Sequence, residues 1–146
     1  MKMVSLFCDG SSLGNPGFGG YCAILRYKDK EKCISGSAKN VTNNQMELKA
    51  VIEGLNSLKE SCSVELFSDS SYVVRGINEW LSNWVKRDFE KVKNKDLWQE
   101  YLKVSSMHQI QARWVKGHDG HTENERCDSI ARNEAFLAKQ SSQNEK

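Results

Sequence analysis

Three consecutive strand-like runs, followed by a switch to helical periodicity, constrain this chain more than any other feature. Val4, Leu6 and Cys8 alternate with Met3, Ser5, Phe7 and Asp9, which predicts a strand ending at the acid. Asn15-Pro16-Gly17 turns the chain. Residues 19–28 and 31–39 read as two further strands joined through the charged Asp29-Lys30-Glu31 turn, so the first third of the chain is an antiparallel meander. Thr42-Asn43-Asn44-Gln45 then carries a capping-box pattern, and Leu48, Val51, Ile52, Leu55 and Leu58 recur at helical spacing, predicting a helix over 43–60.

The remainder alternates. Residues 63–69 read as a strand, again with an acid at its end. Ser70-Ser71 opens a helix with Val73, Ile77 and Leu81 on one face, and 84–95 is less regular. A helix over 95–107, a strand over 109–115 and a Lys-Gly-His-Asp-Gly-His loop follow. A second capping box, Thr122-x-x-Glu125, starts a last helix with Cys127, Ile130, Ala131 and Leu137. A hairpin-built edge followed by alternating helices and strands predicts an α/β fold: a five-stranded mixed sheet, its first three strands antiparallel, flanked by helices. At 146 residues one domain is expected, over 1–138, with a polar frayed tail over 139–146.

Charge excludes some classes and leaves others. With 21 Lys and Arg against 19 Asp and Glu the net charge is only +2, which is not that of a globally basic nucleic-acid binder. It is uneven, however: Lys86, Arg87, Lys91, Lys93 and Lys95 lie between Trp84 and Trp98, against Asp88, Glu90 and Asp96. A local basic patch of this kind meets polyphosphate even on a nearly neutral chain. The start has no secretory apolar core and no run approaches a membrane span, so the cytoplasm is the expected compartment. Five scattered cysteines without a C-x-x-C pair fit reduced, mostly buried thiols. His118, His121 and Cys127 leave a zinc reading open, without a second cysteine pair to support it.

Four acids stand where a sheet-based site gathers side chains. Asp9 and Asp69 end strands, Glu47 sits early in the first long helix and Asp128 lies in the last one. Strand C-termini line one edge of such a sheet, and Asp9 and Asp69 are neighbours if the first and fourth strands are adjacent. Each acid alone also reads as a turn former, a helix cap or a solvated residue. Together they require neutralisation, and an oxygen-only set selects a hard cation, Mg²⁺ or Mn²⁺.

The blocks DGSSLGNPGFGGY, TNNQMELKAVIEGL, SDSSYVVRGINEW, DLW and WVKGHDGHTENERCD occur in order and cover residues 3–138. They resemble the successive motifs of the bacterial type 1 ribonuclease H (ribonuclease HI) family. The resemblance implies a ribonuclease H-like fold and an endoribonuclease that cuts the RNA strand of RNA–DNA hybrids, leaving 3′-hydroxyl and 5′-phosphate ends. It implies two Mg²⁺ ions in the substrate complex, with Mn²⁺ able to substitute, held by Asp9, Glu47, Asp69 and Asp128. His118 matches the family's catalytic-loop histidine, whereas His121 reads as a helix-entry residue. Gly10 and Glu47 match groups that sense the RNA strand's 2′-hydroxyls. Asn15, Asn43 and Asn44 match residues contacting the hybrid backbone or minor groove, and Thr42 and Asn83 a DNA-phosphate pocket. Trp84, Lys86 and Arg87 match the family's basic protrusion, where the two cations are expected on phosphate and Trp80 and Trp98 in the core.

Two departures stand out. The protrusion is several residues shorter than in well-known bacterial members, and Ser71 stands where those members often carry a glutamine that touches the hybrid. A hybrid duplex is the implied partner; no membrane or obligatory protein partner is expected, and nothing demands more than a monomer. A DNA nuclease on the same fold and a catalytically silent hybrid-binding module are the competing readings.

Overall fold

In the computed structural model, which describes residues 1–117 and 122–144, the chain folds around one five-stranded sheet. β1 (Lys2–Ser12), β2 (Gly17–Tyr27) and β3 (Lys30–Val41) form the expected antiparallel meander. α1 (Asn43–Asn56) carries the chain across to β4 (Cys62–Ser68), which pairs parallel with β1, and β5 (Gln109–Trp114) pairs parallel with β4. The order is β3-β2-β1-β4-β5, so the first and fourth strands are adjacent. Between β4 and β5 lie α2 (Ser71–Arg75), a π-helical turn (Gly76–Trp80), α3 (Leu81–Lys86) and α4 (Lys95–Ser105). α5 (Thr122–Asn144) closes the fold.

The alternation in β1 sorts its side chains to two faces. Val4, Leu6 and Cys8 bury against α1, whose Leu48, Val51, Ile52 and Leu55 form the larger core together with Trp98 of α4. Phe7 points the other way and packs with Cys22, Ile24, Cys127 and Ala131 under α5. α5 approaches the sheet closely because Gly20 has no side chain: a Cβ there would fall 2.2 Å from the Ala131 carbonyl oxygen. Ala131 and Ala135 are the residues that fit this contact, both fully buried, while Leu137 is 48% exposed; the apolar face expected to include Leu137 is corrected accordingly.

Several boundaries differ from expectation. β1 runs three residues past Asp9, because β2 pairs with it as far as Ser12↔Gly19. α1 ends at Asn56 rather than 60, where Ser57 folds back on Gly54 through both its backbone N–H and its hydroxyl. The helix expected from Ser71 is broken into three pieces. Leu81 N–H reaches the Gly76 carbonyl to make the π turn, and Gly76 sits against the Trp98 ring, where a Cβ would lie 2.3 Å from it. The stretch from Lys139, expected as a frayed tail, continues α5 to Asn144. Among the described residues no helix is long and apolar enough to cross a membrane.

Candidate active site

The parallel pairing of β1 with β4 runs in one register from Lys2↔Cys62 to Phe7↔Phe67. Asp9 and Asp69 each stand two residues beyond that last pair, so they lie level with each other on adjacent strands, Asp9 within β1 and Asp69 just past the end of β4. The Phe7 and Phe67 rings, stacked with centroids 5.1 Å apart, are the preceding residues in the same two rows. Asp69 is followed by Ser70, whose hydroxyl accepts from Val73 N–H to cap α2. The exit of β5 holds it from the other side: Val115 N–H donates to Ser68 O at 2.9 Å, and the Trp114 indole N–H donates to Asp69 O at 3.0 Å.

Glu47 reaches this edge from α1. Thr42 caps that helix as the sequence predicts, its hydroxyl accepting from Gln45 N–H while the Gln45 side chain accepts from Thr42 N–H. Gly10 lets the helix press onto β1, since a Cβ there would fall 2.3 Å from Glu47 N. Gly10 N–H then donates to both carboxylates, to Glu47 Oε1 at 2.7 Å and Asp9 Oδ1 at 3.0 Å. Asp9, Glu47 and Asp69 thus bring one oxygen each within 4.8 Å of one another. Asp128 enters from α5, next to Cys127, whose thiol donates to Phe7 O at 3.3 Å. It lines the same pocket, and Arg132, one turn on, donates from Nε to its Oδ1 at 3.2 Å and approaches Oδ2 at 2.7 Å.

Crowding so many carboxyls in a partly dry site makes ionisation costly. Burial, with Asp69 and Asp128 nearby, pushes the Asp9 carboxyl up to about 7. Burial pushes Glu47 well above the usual carboxylate range, Asp9 and Asp69 adding to the effect. Glu47 is 4% exposed, and its Oε2 is buried without a hydrogen-bond partner. A buried acceptor without a donor, inside an all-oxygen set, fits a hard divalent cation.

The pocket, of about 480 Å³, is walled by Gly10, Ser11, Asn43, Asn44, Ser70, Ser71, Tyr72 and Arg132 around the four acids. Of the residues expected to meet substrate, Gly10, Asn43, Asn44 and Ser71 therefore line it. Asn15 lies beside it, its Oδ1 accepting from Asn43 N–H at 3.0 Å. The Thr42 hydroxyl oxygen accepts from Gln45 N–H in the helix cap, and Thr42 is outside the pocket lining. Asn83, Lys86 and Arg87 are exposed on and after α3, away from the pocket wall. Trp84 is half-buried, with ring centroids 5.8 Å from Trp80 and 5.2 Å from Trp98. Trp98 is fully buried as expected, and Trp80 is half-buried beneath the Arg75 guanidinium. His118 and His121 lie outside the described residues; Cys127, the third member of the zinc reading, faces the core.

Ser11, Ser70, Tyr72 and Arg132 join the pocket without having been expected there, Ser70 having been read only as a helix opening. Arg132 had a signal, its i,i+4 spacing from Asp128. Tyr72 had none: its hydroxyl accepts from the Trp98 indole at 2.9 Å and the Asn94 amide at 3.0 Å, groups brought to it only by the fold.

The chain is similar to known proteins in sequence and in fold. Residues 1–136 match the RNase H family model. A ribonuclease H of Campylobacter concisus is 62% identical over 139 residues, covering 95% of this chain and 96% of the relative. One of Helicobacter pylori is 63% identical over 135 residues, covering 92% and 94%. Among solved structures, LC9-RNase H1, described as a type 1 RNase H with the type 2 active-site motif, superposes with a TM-score of 0.85 at 29% identity, over 92% of this chain and 72% of that one. The N-terminal RNase H domain of a Mycobacterium tuberculosis protein superposes at 0.75 with 25% identity, over 97% and 99%. Fold, carboxylate cluster and relatives agree, and the chain belongs to the ribonuclease H family of enzymes.

Proposed function

We propose that this chain is a divalent-metal-dependent endoribonuclease that cuts the RNA strand of RNA–DNA hybrids, leaving 3′-hydroxyl and 5′-phosphate ends. The observation that carries the reading is the meeting of Asp9, Glu47 and Asp69 within 4.8 Å, with Asp128 in the same wall. These four residues hold Mg²⁺, two ions in the substrate complex, with Mn²⁺ as a substitute. Bound cations supply charge neutralisation and Lewis-acid stabilisation of phosphodiester displacement. The metal carboxylates, Gly10 and the adjoining Asn43, Asn44 and Ser71 are one catalytic domain's working edge.

The chain's own residues do the rest. Gly10 seats α1 on β1, which sets the Glu47 carboxylate beside the Gly10 backbone at the edge that meets the RNA strand, where the two test for a 2′-hydroxyl, the group that separates RNA from DNA. Asn43 and Asn44, exposed at the start of α1, meet the hybrid backbone or minor-groove edges, with Asn15 holding the turn of α1 in place. Thr42 and Asn83 form the DNA-phosphate contact, and Lys86 and Arg87 add phosphate contacts from the protrusion. His118 moves a proton or aids product release.

A labelled hybrid incubated with Mg²⁺ tests the reading. Fragments of the RNA strand with 3′-hydroxyl and 5′-phosphate ends, an intact DNA strand and no cleavage in excess EDTA are expected. Cleavage that persists in EDTA removes the metal from the reading, and duplex DNA cut as fast as the hybrid replaces the substrate.

A further inference from the structure

Behind the carboxylates, under α5, lie thiols that hybrid cleavage does not use. Cys22 Sγ is 3.7 Å from Cys33 Sγ. Cys22 is fully buried on β2 and in contact with the Cys127 thiol, whereas Cys33 is exposed on β3. Cys22 faces Ser35 in the β2–β3 ladder and Cys33 faces Ile24, so the two cysteines are diagonal neighbours on one face. β3 is the edge strand of the sheet, with no strand on its outer side among the described residues, and the sulfurs have to close from 3.7 Å toward the about 2.05 Å of a bond. Cys8 and Cys62, by contrast, are buried on the α1 side of the sheet.

We propose that Cys33 and Cys22 are a site of reversible oxidative modification by peroxides, closing into an intramolecular disulfide. The Cys33 sulfur takes one oxygen from the peroxide as the O–O bond breaks, becoming a sulfenic acid and releasing water. The Cys22 sulfur then attacks it; the S–O bond breaks, the S–S bond forms and a second water leaves. Two thiols lose two electrons and hydrogen peroxide is reduced to two waters. Cys33 is the entry because it faces solvent, and Cys22 resolves because it is the sulfur within reach. Burial, with Cys22 beside it, holds the Cys33 thiol up at about 11, Arg126 pulling it down and Glu31 pushing it up. Little thiolate exists near neutrality, so the site reacts slowly and under excess peroxide. The link forms close to the metal carboxylates, since Cys22 is the ladder partner of Asp9.

The test treats the full chain with excess hydrogen peroxide, unfolds it in urea with an alkylating agent, and maps the cysteines by mass spectrometry without reduction. A monomer lacking two of its five thiols, with the Cys22 and Cys33 peptides joined, is expected, and dithiothreitol restores all five. Cys33→Ser, an exposed substitution, leaves Cys22 and Cys127 alkylatable after the same exposure. Cys22→Ser leaves Cys33 as a sulfenic or sulfinic acid without a link. The proposal is overturned if parent Cys33 is sulfinated while Cys22 stays free, if Cys33 links only between two chains, or if Cys22 joins Cys127 instead.

Discussion

The carboxylate pocket and the basic protrusion are built by opposite rules. In the pocket, backbone does the positioning: two parallel strands in one register, a capped helix lying on a bare glycine and a second helix seated on small residues. Its acids are held where their charge is unwelcome. In the protrusion, residues 81–94, the charged side chains are exposed, while Leu81, Trp84, Phe89 and Val92 pack against the core and Asn94 is hydrogen-bonded to it. Asp88, Phe89, Lys91 and Asn94 all adopt positive φ. Those turns are sustained by Phe89, which is buried in the core with its N–H on Trp84 O at 2.8 Å, and by the Asn94 amide, which bridges Gln45 and Tyr72. The carboxylates therefore sit on the sheet edge, and the outlying cations on and after a short helix pinned to the core.

The sharpest break in that comparison is Asp9→Asn. Losing a ligand from the cluster is expected to lower hybrid cleavage by about a thousandfold or more, the several kcal/mol a Lewis-acid site supplies, with the fold retained by circular dichroism. Retained cleavage would separate the pocket from the chemistry. Trp84→Ala addresses the other region. As a half-buried packing residue it is expected to cost about 2–3 kcal/mol in urea unfolding, below the roughly 3–5 kcal/mol of a fully buried Trp. Weakened hybrid binding with unchanged stability would instead make it a substrate residue.

A pH titration of stability separates the regions without substrate. The Asp9 carboxyl is raised to about 7 in the folded protein from an ordinary 3.8, so the metal-free fold binds that proton more tightly than the unfolded chain. The resulting stabilisation is full below about pH 4 and lost as pH rises through about 7. In EDTA, the stability of the parent relative to Asp9→Asn is expected to fall across that window; a constant difference would show that Asp9 is not strained by its neighbours. The smallest effect belongs to Lys86→Ala with Arg87→Ala, which should weaken hybrid binding and flatten its salt dependence by about one to two units of slope. Unchanged slopes would leave both cations as solvated side chains.

How much of this was legible follows from the range of the forces involved. Asp9, Glu47, Asp69 and Asp128 were legible because local patterns marked the elements that carry them: two strand-like runs leading to an acid, a capped helix with Glu47 in its second turn, and a last helix with Asp128 two turns in. Lys86 and Arg87 were legible only as charge. The π turn was hidden, since the residue that meets Gly76 is Trp98, on another helix. So was the split between Ala135 and Leu137, decided by a glycine on β2 more than a hundred residues earlier. Ser71, Asn43 and Asn44 looked alike in composition to Thr42 and Asn15, yet the first three line the pocket while Thr42 and Asn15 hold α1 in place.

Sequence alone determined the order of strands and helices, the Thr42 cap of α1 and which four acids to watch, because alternation, capping and turn chemistry act over a few residues. Tertiary structure decided that β4 inserts beside β1 rather than at an edge, which alone sets Asp69 level with Asp9. It also decided that Gly10 N–H holds Glu47 over them, and that Glu47 keeps an oxygen without a donor. Parallel pairing and the burial of charge depend on groups distant in the chain, and no local pattern encodes them.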